Sequence, residues 1–101
     1  MNRLDRVDSF VEQNKLAFMT CIEIVIMRRG NKNYHLVMAK LDSLYHCKIL
    51  DCYEHPERLR TVLKDVYKED YDSILDDIGL ELDKLADVEK EIEKFFKIMK
   101  N

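Results

Sequence analysis

Only three residues in this chain, Gly30, Pro56 and Gly79, interrupt regular backbone structure by their own chemistry. Glycine gives up the most conformational freedom on folding, and proline has no N–H to donate, so the segments between them run free of intrinsic breaks. Those segments are rich in Leu, Lys and Glu, residues that lose little rotamer freedom in a helix. The expected fold class is therefore all-α.

A chain of 101 residues buries one core of useful size but not two, so a single domain over 1–101 is expected. With 47% hydrophobic and 37% charged residues, it has enough apolar surface to offset chain entropy. The expected organisation is about five helices: a long N-terminal helix over 1–29, then a compact helical bundle over 31–101. A chain that enters a helical seam almost at once also fits a fragment of a larger protein.

That seam is the most regular pattern present. Leu4, Val7, Val11, Asn14, Phe18, Cys21 and Val25 are spaced alternately by three and four, as on one face of a coiled coil. Asn14 on such a seam sets register between paired helices, so Leu4, Val7, Val11, Asn14 and Phe18 are the candidate interface of a homodimer. Extra apolar residues at 10, 17, 22, 24 and 26 widen the stripe and also fit packing against the chain's own domain. A competing reading covers 21–39, where "CIEIVIM" alternates, is β-branched and is followed by a Gly-Asn turn, as in a β-hairpin.

Gly30 is expected to close the first helix, with Arg28 and Arg29 at the negative end of its dipole. The second is expected to be capped by Asn31 or Asn33 and to turn Tyr34, Val37, Met38, Leu41, Leu44 and Tyr45 inward. The third starts at Pro56, with Leu59, Val62, Leu63, Val66 and Tyr67 inward. Asp70 or Asp72 caps a fourth, holding Tyr71, Ile74, Leu75, Ile78, Leu82 and Leu85, where Gly79 marks a kink or close packing. Asp87 caps a fifth, with Val88, Ile92, Phe95, Phe96 and Met99 as its stripe.

Charge excludes some functions. The net charge is -3, its acidic excess lies after Pro56, and the bases there alternate with acids in "KEDYD" and "EKEIEKFFK". Nucleic-acid affinity comes mainly from clustered Lys and Arg, so a nucleic-acid partner is not expected. The most apolar run, Leu16 to Met27, contains Thr20 and Glu23 and falls short of the ~20 residues that cross a bilayer. Three cysteines cannot all pair within the chain, and no secretory h-region follows Met1; reduced thiols and a cytoplasmic location are expected.

The densest chemistry lies in "YHCKILDCYEHPERL", Tyr45 to Leu59. Cys47, Cys52 and His55 are donors zinc accepts, but the set lacks a fourth ligand nearby, which Cys21, His35 or an acid would have to supply. The same letters read as a helix-helix corner. Pro56 suits the first helical position, His55 before it is held extended, Glu57 meets the helix dipole, and Asp51 closes a turn after "KIL". Ile49, Leu50 and Tyr53 would then anchor the corner inward. Cys52 with His55 is not the assembled nucleophile, base and orienting acid that acyl transfer needs, and no P-loop, G-x-G-x-x-G, H-E-x-x-H or G-x-S-x-G occurs. Phosphorelay through His35 or His46 would need a solvent-facing imidazole. No enzyme activity and no cofactor is expected.

From Leu50 to Leu82, "LDCYEHPERLRTVLKDVYKEDYDSILDDIGLEL" resembles a small family of archaeal helical domains of the Nitrososphaera output-domain type. Its members carry a D-C-Y-E-H-P-x-x-L corner, an aliphatic helix and a Y-x-x-I helix, with looser agreement here over Tyr34 to Tyr45. The resemblance implies an all-helical output module of signalling proteins with no assigned catalytic residue. The family has a glycine before the Y-x-x-I helix, where this chain has "KED".

The expected function is a non-enzymatic protein-protein interaction or signal-output module, self-associating through its first helix, with a protein or a covalently attached domain as partner. The alternatives are a DNA-binding regulator, with Arg58 and Arg60 leading a recognition helix from Pro56, and a metal- or thiol-based sensor using Cys47 and Cys52.

Overall fold

The computed structural model describes the backbone from Arg3 and the side chains from Gln13 onward. Among the described residues five α-helices follow one another: α1 Arg3–Arg28, α2 Asn31–Tyr45, α3 Pro56–Tyr67, α4 Tyr71–Leu82 and α5 Glu89–Met99. Single 3-10 turns, Ile49–Tyr53 and Lys68–Asp70, lead into α3 and α4. No strand occurs among the described residues, so the hairpin reading of 21–39 is replaced by the end of α1 and the first half of α2. Ile22, Val25 and Ile26 are all buried; the β-branched run serves a helix whose buried arc is wide.

Gly30 makes the joint. Its φ of 132° lies where only glycine is unstrained, which lets α1 stop and α2 start with only Arg29 and Gly30 between them. The Tyr34 N–H bonds the Gly30 carbonyl at 3.1 Å, so Gly30 itself occupies the cap position and neither Asn31 nor Asn33 caps with its side chain. The Tyr34 hydroxyl donates to the Glu23 carboxylate at 2.7 Å and ties α2 back to α1.

The core runs from Phe18 on α1 to Met99 on α5, with Leu59, Val62 and Leu63 of α3 and Ile74, Leu75 and Ile78 of α4 at its centre. Two inward expectations for α2 are corrected. Met38 and Leu44 are 38% and 59% exposed, because α2 is covered along the narrow strip of Val37 and Leu41 and not over a full half-turn. At the corner Ile49 is buried but Leu50 is 38% exposed.

Two caps also differ from expectation. Asp70 stands at the start of α4 without a side-chain cap bond. Asp87 adopts φ 60° one residue ahead of the cap, and Val88 supplies the carbonyl that receives the Ile92 N–H at 2.9 Å. Gly79 marks close packing: a methyl there would meet the Phe96 ring at 3.4 Å.

The last turn of α5 is held by its neighbours. The Tyr71 hydroxyl donates to the Met99 carbonyl at 2.6 Å, Arg60 Nη1 to the Ile98 carbonyl at 3.0 Å, and Lys64 Nζ to the Asn101 main-chain oxygen at 3.0 Å. These are donors, two of them cationic, at the negative end of a helix dipole.

Candidate interaction surface

Among the described residues of α1, exposure changes abruptly along the helix. Phe18, Met19, Ile22, Val25 and Ile26 are each at most 4% exposed, whereas Gln13, Asn14, Leu16 and Ala17 are exposed. Lys15 is the half-buried exception in that turn, its Nζ 2.9 Å from Glu54 and 5.3 Å above the Tyr53 ring. Among the described side chains of α1, full burial therefore begins at Phe18.

Each expected interface residue can now be placed. Leu4, Val7 and Val11 lie outside the residues whose side chains are described. Asn14 is exposed on α1. Phe18 is no surface residue: at 2% exposure its ring stands edge-on to Tyr53 at 5.8 Å and to Phe95 at 5.7 Å. The heptad spacing runs through Phe18, but the domain's own aromatic residues occupy that stretch of the helix face.

Where burial begins, the surface is hollow. A groove of about 300 Å³ has Phe18, Tyr53, Pro56, Phe95 and Ile98 in its walls, with Glu91 and Lys94 at its rim. On the other side of Tyr53 a hollow of about 230 Å³ carries the exposed side chains of Leu16 and Leu50. A third links Asn14 and Lys15 to Asp87 and Val88, and all three have Tyr53 in their walls. Tyr53 sits there because the corner is a closed 3-10 turn, in which Asp51 Oδ2 accepts the Lys48 N–H at 2.8 Å. Local periodicity could not reveal this groove, since its walls come from segments far apart in the chain.

The candidate metal donors do not assemble. Cys47 and Cys52 are buried, but His55 is half-exposed and lies 3.4 Å from Glu57. Among the described residues no group of three or more His, Cys, Asp or Glu side chains is gathered to hold a metal. His35 and Cys21 belong to other faces of the fold, on α2 and α1. Burial, reinforced by the neighbouring Cys47, pushes the Cys52 thiol up to about 12, and its Sγ lies 3.6 Å from the Lys48 carbonyl. A thiol held protonated is a poor nucleophile and a poor ligand.

The bases of α3 proposed for a recognition helix are engaged at home. Arg58 lies 5.4 Å above the Tyr45 ring, and Arg60 and Lys64 hold the end of α5. His35 and His46 are exposed, and His46 takes the left-handed conformation that ends α2. No helix of the described residues is long and apolar enough to cross a membrane.

No family model, no curated protein and no solved structure matches this chain.

Proposed function

We propose that this protein is a non-enzymatic helical interaction module that forms a homodimer through the first half of α1. The observation that carries the reading is the heptad spacing of Leu4, Val7, Val11 and Asn14 in the sequence, together with the exposure of Asn14, Leu16 and Ala17 just ahead of the buried Phe18. Apolar residues repeating at that spacing are the pattern by which one helix pairs with another. Asn14, exposed and on the heptad spacing, favours a second copy of the same helix.

Magnitudes limit what that stripe does alone. Three aliphatic side chains from each of two copies contribute on the order of 9–18 kcal/mol if fully covered. Association costs about 4–15 kcal/mol in lost freedom. The stripe therefore meets the cost of association only narrowly. The signal-output role rests on the resemblance of the Leu50–Leu82 segment to archaeal output domains, and the free thiols of Cys21, Cys47 and Cys52 suit a reducing cytoplasm.

Sedimentation equilibrium tests the reading. The protein should sediment as a dimer at micromolar concentration, and Val7→Asp with Val11→Asp should return it to a monomer of unchanged helicity. A single-copy mass for the unaltered protein at high concentration refutes it.

A further inference from the structure

We infer that the groove between α4 and α5 is a docking site for a basic amphipathic helix of a partner protein, with Leu80 as its apolar contact and Asp76 and Asp83 as its charged ones. The inference does not depend on the self-association just proposed, and it gives the interaction module a second kind of partner.

Charge is the first argument. From Glu69 to Asp83 the chain carries seven acids and no base, and the fold sorts them by side. Asp77 and Glu81 face α1, where Arg29 and Arg28 pair with them. Asp72, Asp76 and Asp83 are exposed, and none of them forms an ion pair among the described residues. Their spacing of four and seven residues puts them on one outward stripe of α4, with Leu80 between the last two.

Shape supplies the second argument. Leu80 is 67% exposed, more than any other large hydrophobic side chain described. Beside it a groove of about 420 Å³ is lined by Leu75, Ile92 and Phe96, with Asp76 and Asp83. Gly79, having no side chain, keeps the groove open in front of the Phe96 ring. Lys100 is the one base among the lining residues, and its Nζ lies 5.6 Å above the Phe96 ring at one end. Lys64, in the adjoining hollow with Asp72, is held by the Asn101 main-chain oxygen.

Together these features define the occupant. An apolar cleft edged by unpaired acids repels another acidic surface and suits a helix that sets apolar residues into the cleft while neighbouring Lys or Arg side chains reach the acids. The first half of α1 from a second copy does not meet that description, since residues 3–12 carry three acids against two bases. The contact is small, in the class of transient interfaces below about 1,200 Å², so the binding is weak and sensitive to salt.

The test titrates isotope-labelled protein, followed by NMR, with a synthetic amphipathic helix of leucine and lysine and with its counterpart in which glutamate replaces every lysine. The lysine peptide should shift the amide signals of residues 75–83 and 92–100, and the glutamate peptide should shift none of them. Leu80→Ser and, separately, Asp76→Lys should each raise the dissociation constant roughly tenfold while leaving the helical signal intact, because both side chains are exposed. Asp42→Lys makes the same charge change on the exposed side of α2 and should leave the constant nearly unchanged. Equal weakening by Asp42→Lys, or shifts spread over every acidic surface, would reduce the attraction to net charge and overturn the site. Shifts centred on the Tyr53 groove, or no shift with either peptide, would overturn it as well.

Discussion

The Tyr71 hydroxyl donates to the Met99 carbonyl at 2.6 Å inside the core, joining the first turn of α4 to the last turn of α5. Burial is the main reason the Tyr71 phenol is pushed up to about 12 from its ordinary 10.0, with Arg60 opposing and Asp72 assisting. The folded state thus holds the proton more tightly than the unfolded chain. The stability this gives is complete below pH 10.0 and is lost as pH rises toward about 12. Denaturant unfolding followed from pH 8 to 11.5 should show a fall above pH 10, and Tyr71→Phe should flatten it while costing about 1 kcal/mol at neutral pH for the lost hydrogen bond. An unchanged slope in that variant would assign the alkaline sensitivity to other groups, Tyr67 among them, whose phenol burial also raises.

Tyr67 is the opposite case. Its hydroxyl is buried and has no hydrogen-bond partner among the described residues. A buried polar group left unpaired costs about 1–3 kcal/mol, so Tyr67→Phe should stabilise the protein by roughly 1 kcal/mol and raise the midpoint of thermal unfolding. A fall in that midpoint would mean that the hydroxyl has a partner in solution.

Lys68 closes α3 with φ 51° and ψ -113°, a backbone conformation that suits glycine. Lys68 opens the "KED" turn, Lys68–Asp70, that joins α3 to α4. Lys68→Gly should relieve about 1–3 kcal/mol of strain and lose about 0.5–1 kcal/mol to the freer unfolded chain. A modest net gain in the urea midpoint is expected, and a clear loss would count against a left-handed Lys68.

Much of the architecture was legible because few residues set it. Gly30 and Pro56 mark the joints, and the apolar stripes of α3, α4 and α5 are the ones buried. What failed was the width of cover: Met38, Leu44 and Leu50 look inward by spacing, yet how far a neighbour wraps a helix depends on elements that no local window contains. The alternating run at 21–27 failed for a related reason, since a helix buried over a wide arc shows apolar residues at strand spacing as well. The groove was illegible because Phe18, Tyr53 and Phe95 meet only in three dimensions. Cys47 and Cys52 were conspicuous letters with an ordinary place in the core.

That placement has a kinetic consequence. With the Cys52 thiol held protonated by burial, alkylation by iodoacetamide at pH 8 should require opening of the fold. Cys21 lies nearer the surface on α1 and is also raised, by burial first and then by Glu81. The expected order is one cysteine modified slowly in native buffer and all three quickly in denaturant, read by mass spectrometry. Rapid native modification of Cys52 would revive a thiol-sensing role.

Phe18 and Leu16 lie two residues apart on α1 and separate folding from association. Phe18 is 2% exposed between Tyr53 and Phe95, so Phe18→Ala leaves a void between two aromatic rings; the cost should be about 3–5 kcal/mol in monomer stability. Leu16 is 53% exposed, and Leu16→Ala should change the stability of the monomer by no more than about 0.5 kcal/mol. If the first half of α1 pairs with a second copy, Leu16→Ala should instead weaken the dimer measured by sedimentation. Urea unfolding at concentrations below association reads the first quantity for both variants. A Phe18→Ala protein that kept its monomer stability and lost only its dimer would place Phe18 on the seam between copies, and the burial boundary on α1 would have to move downstream.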